Sequence, residues 1–165
     1  MHSSPSLAQH AHLRATFAAA HAHAVAGGLP FAARLVDANE TVCIEAVNEV
    51  MRTGDPTAHA EMMLLRQAAT RVPSIAFREM TLYAAAEPCA MCAAAIVWSG
   101  IGRVVYGVSA SRLRPIDPLP SGVVEPGVSG RAVFDATASG PEIVGPMLED
   151  EGEAALFASG RTSRR

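Results

Sequence analysis

Two short motifs in the middle of the chain carry residue types that can hold a metal ion and move protons. A His-Ala-Glu triplet occupies positions 59–61, and a Cys-Ala-Met-Cys quartet occupies positions 89–92. Imidazole nitrogen and thiolate sulfur are ligands that zinc prefers, and a catalytic zinc keeps three protein ligands and one position for water. His59, Cys89 and Cys92 form such a set of three. The sequence therefore predicts one open zinc site per chain.

Glu61 is the candidate for proton transfer at this site. Water bound to zinc ionises near neutral pH, whereas the pKa of bulk water is about 15.7. The reaction still needs a group that accepts the proton of water and passes it to the leaving group. Glu61 lies two residues beyond His59. Without that neighbour, Glu61 would be interpreted as an ordinary solvated helix residue.

The paired cysteines have two other interpretations. A closed structural zinc site needs a fourth ligand, and Cys43 is the one remaining cysteine. Cys43 stands between Val42 and Ile44 in a strand pattern, where we expect a buried apolar thiol. A redox pair of the Cys-x-x-Cys type would leave His59 and Glu61 without a purpose. Zinc catalysis is therefore the favoured hypothesis.

Two helices are expected to present the motifs. The first is predicted from Pro56, with Asp55 as its N-cap, to about Ala69, which places the histidine in its first turn. The second is predicted to open at Pro88 and to end at Gly100. Two cysteines three residues apart at a helix start point to one side, and the helix dipole favours their thiolate forms.

The remaining elements follow from hydrophobic pattern and turn signals. We expect helices at 7–26 and 147–158, strands at 31–37, 41–47, 81–85, 103–107 and 142–144, and a loop at 51–55. Residues 109–140 are rich in proline, glycine and serine and are predicted to form an irregular insert. Alternating strands and helices predict an α/β domain in three layers, and the length suits a single domain over 1–165.

Composition limits the class of protein. Half of the 165 residues are hydrophobic and 18% are charged, which is typical of a folded domain. No apolar run approaches the roughly 20 residues that span a bilayer, and no signal peptide is recognisable, so we expect a cytoplasmic protein without membrane contact. The net charge is −3 and every basic residue is arginine. The basic cluster at 161–165 is expected to be a flexible tail.

Four histidines near the N-terminus form two pairs with a spacing of two residues. These pairs are His10 with His12 and His21 with His23. Side chains two residues apart on a helix diverge, so we expect no second metal site here.

Longer stretches around the motifs resemble the cytidine deaminase superfamily. The His-x-Glu and Pro-Cys-x-x-Cys pattern is the signature of zinc-dependent base deaminases. Residues 55–61 and 87–92 are similar to the branch that holds guanine deaminases and bacterial tRNA adenosine deaminases. The resemblance covers about 17–107 and implies a three-layer α/β/α fold with a mixed five-stranded sheet, usually as a homodimer.

The resemblance also implies roles for individual residues. The three motif ligands would bind zinc, and Glu61 would act as general acid and base. Asn48, Ala60 and Trp98 would contact the substrate. Asn48 has an alternative interpretation as a turn residue after a strand, and Trp98 has one as a core residue.

The substrate class is less sharply defined by the sequence. Residues 101–107 resemble the tRNA enzymes, whereas residues 95–98 resemble the guanine deaminases. After Gly107 the chain has an acidic run at 149–153, which is expected to begin a helix and offers a poor surface to a polyanion. We therefore expect deamination of a free nucleobase, a nucleoside or a related aminated heterocycle. A tRNA-specific adenosine deaminase is the alternative, and a non-catalytic zinc-stabilised binding module is the second alternative.

Overall fold

The structure is a computed structural model, which describes residues 6–113 and 127–158. The helices are α1 (Leu7–Val25), α2 (Val50–Thr53), α3 (Ala60–Arg71), α4 (Ala90–Ser99), α5 (Gly130–Asp135) and α6 (Glu149–Phe157). The strands are β1 (Ala32–Val36), β2 (Val42–Val47), β3 (Thr81–Ala86), β4 (Arg103–Val108) and β5 (Glu142–Val144). Two 3₁₀ helices span Ser74–Glu79 and Ala110–Arg112. Within the described ranges, no helix combines the length and apolar character that crossing a bilayer requires.

The five strands form one mixed sheet in the order β2-β1-β3-β4-β5. β1 is antiparallel to both β2 and β3, and β3, β4 and β5 are parallel to one another. This arrangement confirms the predicted α/β class and the mixed five-stranded sheet.

Helices cover both faces of the sheet, because the central strands are apolar on both sides. In β3, Leu82 packs in the core beneath α3 and α4, whereas the next residue, Tyr83, packs in the core beneath α1. Val104 and Val105 divide in the same way in β4. Parallel strands that are buried on both faces are apolar at successive positions, and side chains of neighbouring residues point to opposite faces. The result is the expected order of three layers, with α1 and α6 on one face and α3, α4 and α5 on the other.

The predicted start of α3 is wrong by four residues. Asp55 is not its N-cap: Asp55 Oδ1 accepts hydrogen bonds from the backbone nitrogen of Thr57 at 2.8 Å and from its hydroxyl at 2.7 Å. This local turn uses the capping oxygen before the helix begins. The chain is extended at His59, with φ −65° and ψ 156°, and α3 starts at Ala60. The predicted first helical position, Pro56, lies in the turn.

The loop expected at 51–55 is also partly wrong. Residues Val50–Thr53 form the short helix α2, which ends at Gly54 with φ 72°. A left-handed residue at this position favours glycine because it has no Cβ. A single helical turn is too short to show a hydrophobic period, which is why the sequence did not reveal it.

The predicted irregular insert contains a helix in its described part. Ser129 Oγ accepts a hydrogen bond from the backbone nitrogen of Ala132 at 3.1 Å, and α5 follows it. Phe134 of α5 is buried in the core beneath α3 and α4. Tertiary packing of this aromatic residue therefore overrides the poor helix propensity of the region. The rest of the insert between 113 and 127, and the predicted tail at 161–165, lie outside the described residues.

Cys43 is exposed, which contradicts the prediction of a buried thiol. β2 is an edge strand, and its burial alternates along the chain. Ile44 and Ala46 occupy the buried face of β2, so Cys43 points to the opposite side. The apolar residues on either side of Cys43 in the sequence did not reveal which face of β2 the rest of the protein covers.

Candidate metal centre and active site

The three predicted ligands come together where α3 and α4 begin. His59 is the N-cap residue of α3, and Cys89 is the N-cap residue of α4. Cys92 lies in the first turn of α4 and is completely buried. Both helices pack on the same face of the sheet, so their N-termini meet. His59 Nδ1 lies 3.6 Å from Cys89 Sγ and 3.7 Å from Cys92 Sγ.

These separations fit a tetrahedral zinc ion. Zinc–sulfur bonds of about 2.3 Å and zinc–nitrogen bonds of about 2.0–2.1 Å place sulfur and nitrogen about 3.6 Å apart at a tetrahedral angle. All three ligand atoms lie within 4.8 Å of one another. Among the described residues, this is the one group of three or more histidine, cysteine or acidic side chains placed to hold a metal ion. His59 and Cys89 are partly exposed, as a site with an open fourth position requires.

The electrostatics of the cysteine pair also suit a cation. The hydrogen bond between the two thiol groups lowers the pKa of Cys89 to about 4, and the contact with His59 acts in the same direction. The same thiol–thiol hydrogen bond, together with burial and the charge of Glu61, raises the pKa of Cys92. The protein therefore favours the thiolate form of Cys89 even without a metal ion. A metal ion between the sulfurs would stabilise the second thiolate.

Glu61 lies beside the ligands in the first turn of α3. Its side chain is buried, with 8% of the residue exposed, and Oε2 lies 3.6 Å from Cys92 Sγ. Burial raises the pKa of Glu61 above its ordinary value. A carboxyl group with a raised pKa holds a proton more readily than an ordinary one, which suits a group that must act both as general base and as general acid.

Asn48 is buried in the chain segment between β2 and α2. Its Oδ1 accepts a hydrogen bond from the backbone nitrogen of Val50 at 3.0 Å. Asn48 is therefore a turn residue after a strand, as one interpretation of the sequence predicted. This contact assigns the oxygen of the side-chain amide, so Nδ2 is left as the donor. No hydrogen bond joins Nδ2 to another described residue, and we expect this donor to contact a bound molecule.

The two other predicted substrate contacts differ in their surroundings. Ala60 is buried directly after His59, at the first position of α3. Trp98 is 91% exposed near the end of α4, so its core interpretation is wrong. It lies six residues after Cys92, or about 9 Å along the helix axis. A contact between Trp98 and substrate stays a prediction.

The sequence did not reveal that α5 supports the start of α4. A Cβ atom added to Gly130 would lie 1.8 Å from the backbone oxygen of Pro88 and 3.2 Å from that of Cys89. Glycine therefore permits α5 to contact the backbone that carries the first cysteine. The contact joins residues about forty positions apart, and no local pattern signals it.

Comparison with known proteins identifies the family. Residues 5–108 match the cytidine and deoxycytidylate deaminase zinc-binding region, which is more than half of the chain. The chain therefore belongs to this family. It is a hydrolytic deaminase of the zinc-binding type, and the grouped His59, Cys89 and Cys92 agree with the zinc site that the family requires.

Relatives in sequence include deaminases of different substrates. A probable cytosine deaminase from Schizosaccharomyces pombe is 37% identical over 126 residues, which cover 76% of this chain and 75% of the relative. A tRNA-specific adenosine deaminase from Haemophilus influenzae is 42% identical over 83 residues, which cover 50% of this chain and 48% of the relative. The second match thus spans only about half of each protein.

Solved structures share the fold. A protein in complex with 8-azaguanine has a TM-score of 0.75 and 21% identity, with 92% of this chain and 83% of that chain covered. A guanine deaminase from Nitrosomonas europaea has a TM-score of 0.61 and 23% identity, with 90% and 79% covered.

Proposed function

We propose that this deaminase removes the exocyclic amino group, as ammonia, from a free nucleobase, a nucleoside or a related aminated heterocycle, with guanine as the first candidate. The observation that carries the proposal is the combination of the partly exposed donor set of His59, Cys89 and Cys92 with the buried carboxyl group of Glu61. A purely structural zinc site would need neither exposure nor this carboxyl group.

His59, Cys89 and Cys92 would hold zinc, which would supply a water molecule of lowered pKa as the nucleophile. Glu61 accepts a proton from water as the new carbon–oxygen bond forms at the ring carbon that carries the amino group. Glu61 then donates a proton to the departing nitrogen, which leaves as ammonia, while the ring gains the oxygen of water. Asn48 Nδ2 donates a hydrogen bond to an acceptor on the ring and orients it. Ala60 contributes its backbone to the wall of the site.

Charge supports a small substrate over tRNA. Seven arginines in the described part of the chain are paired with carboxylates: Arg14, Arg34, Arg52, Arg66, Arg103, Arg112 and Arg131. Arginines held in this way are poorly placed to grip a row of phosphates. The net charge of −3 acts in the same direction.

The test is ammonia release by the zinc-loaded enzyme from guanine, isoguanine, adenine, cytosine, their nucleosides and aminotriazines, with a tRNA substrate measured beside them. The panel contains cytosine because a cytosine deaminase is among the relatives in sequence. We expect turnover of at least one small substrate, with a KM nearly constant between low and moderate salt. Salt-sensitive inosine formation in tRNA, with every small substrate unchanged, would establish the alternative instead, because phosphate contacts release counterions.

The homodimer stays part of the proposal. A tryptophan that is 91% exposed on a helix is unusual for an isolated surface and is typical of an interface. We expect light scattering to give the mass of two chains. We expect Trp98→Ser to weaken the association, and Ile75→Ser to serve as a control at another exposed apolar position.

A further inference from the structure

Two histidines of α1 make contacts in different directions. His21 Nδ1 lies 3.1 Å from the backbone oxygen of Ala155 in α6. His23 Nε2 lies 2.7 Å from the backbone oxygen of Asn48. The predicted divergence of this pair is therefore confirmed. Only His23 reaches the segment that carries a proposed substrate contact.

The contact from His23 is one of three that hold Asn48. The backbone nitrogen of Asn48 donates to the backbone oxygen of Phe31 at 3.0 Å, and its Oδ1 accepts from the backbone nitrogen of Val50 at 3.0 Å. The third contact must be donated by His23, because a carbonyl oxygen only accepts. Together the three contacts hold the backbone of Asn48 and the orientation of its side-chain amide.

The turn after α1 is shaped to admit the His23 ring. A Cβ atom added to Gly28 would lie 1.9 Å from His23 Nε2. The backbone nitrogen of Gly28 also donates to the backbone oxygen of His23 at 3.0 Å. A side chain at position 28 would therefore displace the imidazole from Asn48. Close approach of the ring is the physical reason for glycine here.

We propose that His23 is a positioning residue for substrate binding, which acts by holding the backbone carbonyl of Asn48 while the Asn48 side chain contacts the ring. The inference rests on the proposed function of Asn48. The peptide group after Asn48 is also held by the backbone nitrogen of Glu49, which donates to the backbone oxygen of Ala58 at 2.8 Å. Without the imidazole, the peptide group keeps that contact but its carbonyl loses its donor, so the Asn48 backbone and the side-chain amide that it carries become less precisely placed. We expect the effect to fall on substrate binding, because His23 contacts the residue that carries the proposed substrate contact.

The experiment compares four single variants on the best substrate of the panel. His23→Leu removes the donor, and His23→Gln keeps a nitrogen donor at a similar reach. Gly28→Ala displaces the ring without altering it, and His21→Leu is the matched control on the same helix. We expect His23→Leu and Gly28→Ala to raise KM about tenfold with a smaller change in kcat, as the loss of one orienting hydrogen bond predicts. We expect His23→Gln to stay within about threefold and His21→Leu to match the wild type.

A double variant separates positioning from general damage to the fold. In an Asn48→Ala background, His23→Leu should raise KM no further, because its effect passes through the Asn48 side chain. An additive increase would overturn the proposal. So would a wild-type KM in His23→Leu.

Amide hydrogen exchange distinguishes a failure of this inference from a failure of the proposed function. If the wild type converts no member of the panel, the proposed function is wrong. The contact is then tested at the backbone amide of Val50, whose acceptor is Asn48 Oδ1. We expect faster exchange at Val50 in zinc-loaded His23→Leu and no change in His21→Leu. Unchanged exchange in His23→Leu would show that the imidazole does not position Asn48.

Discussion

Two helices of this protein begin with a glutamate in the first turn, and the two carboxyl groups have opposite surroundings. Glu61 of α3 is buried, and burial raises its pKa. Glu149 of α6 accepts hydrogen bonds from the backbone nitrogen and the hydroxyl of Ser109 and lies near the Arg112 guanidinium. These hydrogen bonds lower the pKa of Glu149.

The difference separates a carboxyl group suited to chemistry from one suited to structure. Ser109 and Arg112 both stabilise the negative charge of Glu149, so this carboxyl group holds a proton weakly. Its hydrogen bond from Ser109 also joins α6 to the start of the 3₁₀ helix that follows β4. For Glu61, burial raises the pKa and outweighs the hydrogen bonds and the charge of His59, which act to lower it, while the negative charge of Cys89 adds to the rise. Both groups lie in the first turn of a helix, Glu61 at its second residue and Glu149 at its first. The neighbours decide whether the group exchanges protons.

The largest loss of activity should come from variants that lose the zinc site beside Glu61. Cys92→Ala or His59→Ala leaves two of the three ligands, so we expect loss of bound zinc and of measurable turnover. Metal analysis and ammonia release measure the two losses. Cys43→Ala is the control, because this exposed thiol lies on the edge strand and should keep one zinc per chain. Loss of zinc in Cys43→Ala would support a closed structural site instead.

The second largest effect on turnover should appear when the two carboxyl groups are replaced one at a time. Glu61→Gln keeps the shape of the side chain but cannot accept a proton, so we expect turnover to fall about 10²–10⁴-fold with zinc retained. Glu149→Gln should keep turnover within a few-fold of the wild type. Steady-state kinetics on the same substrate decide between these outcomes. A Glu61→Gln variant as active as Glu149→Gln would mean that another group moves the proton.

The smallest effect concerns stability and its dependence on pH. Because its pKa is lowered in the folded state, Glu149 contributes stability above its ordinary pKa of 4.5, and this stability is lost as pH falls through the lower folded value. We expect Glu149→Gln to lower Tm by ~1–3 °C at pH 7, as the loss of part of a charged hydrogen bond predicts. The difference should shrink as the pH falls below 4.5, which thermal unfolding across pH can measure. A difference that is constant across pH would show that the charge of Glu149 contributes nothing.

The sequence by itself determined the metal set and most of the regular elements. Ligand type and spacing at His59, Cys89 and Cys92 are local facts, and the strands carry apolar runs that turns interrupt. The end of α4 at Gly100, with φ 80°, was equally readable, because a helix stop depends on adjacent residues. The acidic start of α6 was predicted for the same reason.

Only the tertiary structure decided which surfaces are covered and which distant groups meet. Cys43 and Trp98 are exposed because β2 is an edge strand and because no described element packs over the outer face of α4. α3 begins later than predicted because Asp55 accepts a hydrogen bond from Thr57 in a local turn and does not cap the helix. The contact between His23 and Asn48 joins residues 25 positions apart. Burial and such contacts depend on how the elements pack against one another, and short-range periodicity and capping signals carry no information about that packing.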